Sequence, residues 1–270
     1  MLRRLSVLVV FVSALAVVSG ALGAYPTPFA SQGAQGVAGG DGLQFTALKS
    51  GPDTLVSAVR DGVTTRSKTV DGAFGIPTLT QNGQTGGLFR DGSTLVLQNM
   101  GIKPTSKFLL VKTADLVPRG TISLRGTFGF DALSPDGSKL YLIQHMSTDD
   151  INHYVVRAYD LAAGRLLPGR IADRAQKGWV MQGFAVSRAT SATGRWVYTL
   201  YVNPGGFPFV HALDTVKGVA HCIGLPWRSV DQDAVFQFTL GLKGQALNVR
   251  WQDGRLYRAI DTHTWKLSST

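Results

Sequence analysis

From residue 43 onward the chain alternates short apolar runs with polar punctuation. Runs such as 54–59 (TLVSAV), 94–99 (TLVLQN), 139–144 (KLYLIQ) and 196–202 (WVYTLYV) stand between clusters of Gly, Asp and Pro. No apolar spacing of three and four residues survives for more than a turn. Runs of this length, rich in β-branched and aromatic residues and bounded by turn formers, predict strands. The chain reads as all-β.

The punctuation repeats. Turn glycines Gly51, Gly92, Gly137, Gly194 and Gly244 are spaced by 41, 45, 57 and 50 residues. Behind each comes an Asp that closes an apolar run: Asp71, Asp115, Asp160, Asp214 and Asp261, at intervals of 20, 23, 23, 20 and 17. Two signals in register argue for one repeated unit. The third unit shows its parts: FGFDALS, the PDG turn, KLYLIQ, a loop to His153, YVVRAYD, the turn LAAG and RLLPGRI. Four strands per unit at this period predict a β-propeller of about five four-stranded blades over residues 43–270. Its ring arrangement protects sheet edges that would otherwise aggregate.

The residues also carry a family likeness. Ser134, Pro135, Asp136 and Gly137, followed by SKLYL, resemble the hairpin of the YVTN/lactonase-type and WD-like propeller repeats. Ala259-Ile260-Asp261-Thr262 and Ala212-Leu213-Asp214-Thr215 resemble the strand end of those repeats. The resemblance implies the fold and no chemistry, because its motifs are structural. Those families usually have seven blades, whereas five are counted here.

The first segment stands apart. A basic start with Arg3 and Arg4 precedes the apolar run 5–18 and the small residues 19–24, the pattern of a secretory signal. The run is shorter than the roughly 20 apolar residues a spanning helix needs. We therefore expect a signal peptide over 1–24, export to the cell envelope, and no transmembrane span in the mature chain. Residues 25–42, rich in Gly and Ala, are expected as a flexible leader.

Composition narrows the chemistry. All 17 acidic residues are Asp and none is Glu. That absence excludes HExxH zinc proteases, EF-hand loops with their terminal Glu, and glycosidase pairs that need Glu. Cys222 is the single cysteine, so no internal disulfide forms and a buried inert thiol is expected. No G-x-S-x-G elbow is present. His221 and Cys222 are strand neighbours whose side chains point to opposite faces, so they form no nucleophile–base pair. The formal charge of +10 falls to +8 without residues 1–24. The cations of the mature chain are dispersed, which predicts weak association with anionic surfaces and no specific nucleic-acid binding.

Function on such a ring is expected on the face that carries the loops between second and third strands and between blades. Two candidate constellations fall there. His145, Asp149, Asp150 and His153 place two imidazoles and two carboxylates within nine residues, donors suited to a divalent metal if the loop folds back. Trp179 and Trp227, with Phe207, Arg174 and Arg228 nearby, form a candidate ligand surface on which flat rings can stack against sugar. The expectation is a non-catalytic scaffold module binding envelope protein or glycan, with no cofactor. The alternative is a metal-assisted hydrolase at the channel mouth. An enzyme would converge polar side chains on the mouth, whereas a binding module would show an apolar patch over a plugged channel.

Overall fold

The computed structural model describes residues 29–149, 151–173, 180–202, 207–227 and 233–268. Five antiparallel sheets follow one another along the chain. Strand β1 (Ala30–Ser31) comes first. Sheet 1 holds β2 (Gly33–Ala38), β3 (Gln44–Ser50), β4 (Asp53–Arg60) and β5 (Val63–Val70). Sheet 2 holds β6 (Phe74–Pro77), β7 (Thr94–Asn99), β8 (Thr105–Lys112) and β9 (Pro118–Arg125), with β1 added beside β6. Sheet 3 holds β10 (Thr127–Leu133), β11 (Lys139–His145), β12 (His153–Asp160) and β13 (Arg165–Leu166), with β14 (Met181–Gln182) paired to β12. Sheet 4 holds β15 (Phe184–Thr190), β16 (Trp196–Val202), β17 (Phe209–Asp214) and β18 (Val219–Gly224). Sheet 5 holds β19 (Phe238–Lys243), β20 (Ala246–Trp251), β21 (Leu256–Asp261) and β22 (Leu267–Ser268). The protein is an all-β propeller with five blades.

Both faces of the blades are buried, which explains why their central strands read as continuous apolar runs rather than strict alternation. In β7, Leu95 and Leu97 pack toward sheet 1 with Phe45, Val56 and Ile76, while Val96 packs the other way with Phe128, Phe130 and Leu140 of sheet 3. Tyr141, Tyr154 and Val156 meet Tyr201 and Phe209 between sheets 3 and 4. Leu200, Val210 and Ala212 meet Phe238, Leu247 and Val249 between sheets 4 and 5.

The Asp signal has a shared geometry in sheets 3, 4 and 5. Asp160, Asp214 and Asp261 each accept two backbone N–H bonds from the following turn, at 2.7–3.0 Å. The fifth residue of each turn then bonds back to the Asp carbonyl in a left-handed conformation. Gly164 and Gly218 fill that position in sheets 3 and 4, at φ 66° and 65°. In sheet 5 it is Trp265 at φ 60°, strained for a bulky residue, with its ring stacked on His221 at 4.7 Å.

Sheet 1 departs from the expected register. The Gly51 turn joins β3 to β4, its second and third strands, whereas the other four repeat glycines join first and second strands. Asp71 accordingly follows a fourth strand. The extra strand is β2, and it comes from the glycine-rich stretch expected as a flexible leader. Gly36 explains why that stretch pairs: a β-carbon there would overlap the Phe45 carbonyl, so only glycine allows the close approach. The expected signal segment lies outside the described residues. No described helix is long and apolar enough to cross a membrane.

Candidate functional site

The centre of the propeller is filled by its own chain. Between β6 and β7 the backbone leaves sheet 2 as a small hairpin in which Thr78 pairs with Thr85 and Leu79 N donates to Gln84 O at 2.7 Å. Its tip reaches sheet 4, where Gln81 N donates to Ala185 O at 2.8 Å. The Gln84 amide accepts from Arg188 N at 2.6 Å and donates to Arg188 O at 3.0 Å. Toward sheet 1, Thr85 Oγ1 donates to Gly36 O at 2.7 Å and Gln35 donates to Gly83 O at 2.6 Å. The hairpin thus ties sheets 1, 2 and 4 together and plugs the middle. Sequence reasoning missed it, although Asn82-Gly83 is a strong short-range hairpin signal.

Beside the plug, a polar row crosses sheet 4 from its inner strand to its outer strand. Arg188, Thr199, His211 and Cys222 are successive cross-strand partners on one face. Arg188 forms an ion pair with Asp131 of sheet 3 and also donates to the Asp131 carbonyl, with both side chains buried. Asp131 sits at a β-bulge between Phe130 and Ala132, which turns its carboxylate toward the neighbouring blade. Arg188 Nε donates to Thr199 Oγ1 at 3.0 Å. Farther out, His211 Nδ1 lies 3.5 Å from Cys222 Sγ. Burial holds the imidazole down to about pH 4 and pushes the thiol up to about 12, so the pair is neutral. The register brings Cys222 to His211 rather than to its chain neighbour His221, which settles the thiol's partner.

Above the plug lies an apolar pocket of about 70 Å³, lined by Phe29, Leu79, Phe130, Ile143, Tyr154 and Tyr201 among others. His145 closes one side. Its ring stacks on Phe29 at 4.8 Å, and its Nδ1–H donates to Ile151 O at 2.6 Å. Burial lowers its pKa, opposed by that hydrogen bond, so the ring is neutral with Nε2 over Gly129. The phenols of Tyr154 and Tyr201 are likewise pushed up by burial.

The expected site residues separate. Of the metal constellation, His145 belongs to this pocket wall, Asp149 stands exposed in the loop, His153 begins β12, and Asp150 lies outside the described residues. Among the described residues no three His, Cys or Asp side chains gather as a metal site. Of the aromatic constellation, Trp227 is not at a surface: it is 7% exposed, packed on Phe238 at 5.6 Å and Tyr257 at 5.9 Å. Its face is taken by sheet 5, so it cannot stack on a ligand as expected. Phe207 is exposed, and Trp179, Arg174 and Arg228 lie outside the described residues.

No family model matches the chain, and no curated protein matches it in sequence. Solved structures do. A protein of Bacteroides uniformis provisionally assigned as a 6-phosphogluconolactonase superposes with a TM-score of 0.50 at 15% identity, over 87% of this chain and 68% of that one. The β-propeller domain of Swd1 from Myceliophteria thermophila gives 0.46 at 12% identity, over 82% and 63%. TolB from Acinetobacter baumannii gives 0.42 at 14% identity, over 84% and 53%. At such identities the likeness concerns the fold, and the chain is similar to β-propellers.

Proposed function

We propose that this chain is an exported propeller of the cell envelope that binds a protein or glycan ligand at the mouth of its plugged channel and performs no chemistry of its own. The carrying observation is the apolar pocket of Phe29, Ile143, Tyr154 and Tyr201 set above a hairpin that fills the channel. The pocket is concave and mostly apolar, and at about 70 Å³ it suits one side chain or substituent of a larger ligand that lies across the mouth. The strongly polar groups of the centre, Asp131 and Arg188, are engaged with one another beside the plug instead of converging on the mouth. Export rests on the signal pattern of residues 1–24, and the mass of the mature N-terminus tests it. Binding is tested by capture on the immobilised mature chain from envelope extract separated into protein and glycan fractions.

A second reading, a metal-assisted hydrolase around His145, Asp149, Asp150 and His153, draws on one observation. His145 is neutral and its Nε2 is not used by the Ile151 bond. Calorimetry with zinc, manganese and calcium tests it, and absence of heat and of thermal shift rejects it.

A further inference from the structure

A second cleft lies on blade 2, sharing no lining residue with the mouth pocket. It encloses about 600 Å³ and is lined by the link from sheet 1 to sheet 2, the β7–β8 loop and the outer strands β8 and β9. That volume falls within the range of about 300–1,000 Å³ that ligand sites occupy. Its polar side chains are Asp71, Asn99, Lys103, Thr105, Lys107 and Thr121. Lys103 and Lys107 both line it, and neither ammonium group has an acceptor or carboxylate partner among the described residues. Among the described residues Asp71 is the single carboxylate in the wall.

Asn99 makes the cleft more than a pair of surface lysines. Its side chain is almost wholly buried, with the residue 8% exposed. Its Oδ1 accepts the backbone N–H of Lys107 at 2.6 Å, which fixes the orientation of the amide because a backbone N–H can only donate. The Nδ2 group is therefore the end left over, and it meets no acceptor among the described residues. That group is not among the fully buried unpaired atoms, so it is open to the cleft, where a ligand or water can accept its hydrogen bond. The loop carrying the lysines is held in place as well. Gly126 N donates to Pro104 O at 2.7 Å, and Thr127 Oγ1 donates to Lys103 O at 3.2 Å.

The rest of the wall joins apolar side chains, Val70, Phe74, Leu109 and Pro118 among them, to the hydroxyls of Thr105 and Thr121. Fixed amide donor, two free ammonium groups and an apolar floor together call for a ligand rich in acceptors, negatively charged, and carrying a carbon face. We propose that this cleft binds an acidic sugar or polyol unit, with its carboxylate or phosphate taken by Lys103 and Lys107 and a ring or chain oxygen taken by Asn99 Nδ2. This names the ligand class of a site distinct from the mouth pocket.

The test is calorimetric titration of the mature chain with D-glucuronate and sn-glycerol 3-phosphate, each beside its neutral counterpart, glucose and glycerol. Binding of either anion with a tenfold or greater preference over its counterpart is the expected result, and the stronger anion identifies the source. Affinity should fall severalfold on raising salt, as screening requires. The pair Lys103→Gln and Lys107→Gln should lose at least tenfold without changing thermal unfolding. Asn99→Asp keeps the acceptor for Lys107 N and replaces the donor by a carboxylate, so it should abolish anion binding in a protein that still folds. No binding of either anion, equal binding of the neutral counterparts, or unchanged affinity in folded Asn99→Asp overturns the proposal. Mouth-pocket variants should leave these titrations unaltered, so the two sites fail or stand separately.

Discussion

Gln84 pairs with Arg188 as one strand pairs with the next, its side-chain amide accepting from the Arg188 N–H at 2.6 Å and donating to its carbonyl at 3.0 Å across 104 residues of sequence. Gln98 does the same for sheet 3, donating to Phe128 O at 2.8 Å and accepting from Phe130 N at 3.0 Å. In both cases an amide side chain satisfies the inner edge of a blade where no further strand follows. These contacts turn a row of exposed edges into a filled centre.

Gln84→Leu removes both bonds while keeping bulk. With each bond contributing about 0.5–1.5 kcal/mol, the variant should lose roughly 1–3 kcal/mol, read as a lower denaturant midpoint at unchanged slope. Hydrogen exchange at the Arg188 amide should quicken most. A midpoint equal to wild type would show that the plug is an ornament rather than a tie.

The Asp131–Arg188 pair predicts an asymmetry. Asp131→Ala leaves a buried guanidinium uncompensated and should cost about 3–5 kcal/mol, whereas Asp131→Leu with Arg188→Met should cost clearly less because no charge remains buried. Chemical denaturation of the two variants gives the comparison.

His211 predicts pH dependence of a definite sign. Its folded value of about 4 lies below the ordinary histidine value near 6.5, so between these limits the unfolded chain binds more protons. Stability is therefore full above about pH 6.5 and declines as pH falls toward 4, by at most about 3 kcal/mol from this group. His145, also lowered by burial, adds in the same direction. His211→Gln should flatten the slope of stability against pH, measured by urea unfolding at several pH values.

The thiol of Cys222 should be nearly inert in the folded state. Burial first and the Asp173 carboxylate second push its pKa up to about 12, leaving little thiolate at pH 8. Mass spectrometry after iodoacetamide treatment should show slow labelling of the native protein and rapid labelling in denaturant.

Much of the fold was legible because its signals are local. The Asp that closes the third strand caps its own turn in sheets 3, 4 and 5, and Asp136 in the first turn of sheet 3 shows how strongly such turns hold a carboxylate, its pKa lowered to about 2 by the Ser134 hydroxyl and the Ser138 N–H. Such punctuation survives in a single sequence, and it placed the blades of sheets 2 to 5. What the sequence hid depends on partners far along the chain. Gly33–Ala38 reads as a linker until Phe45 is known to lie against Gly36. Trp227 reads as a surface aromatic until sheet 5 closes over it. The Cys222–His211 contact follows from strand register, which periodicity leaves open by any even shift.

Ligand anchoring in the mouth pocket is tested most directly at Phe29, which lines the pocket and precedes β1. Mature wild-type chain and Phe29→Asp, which sets a carboxylate against His145 and the pocket wall, should be compared side by side in capture from envelope protein and glycan fractions. A ligand should be retained by wild type and lost at least tenfold by Phe29→Asp at equal thermal stability. Equal retention by both proteins would contradict it.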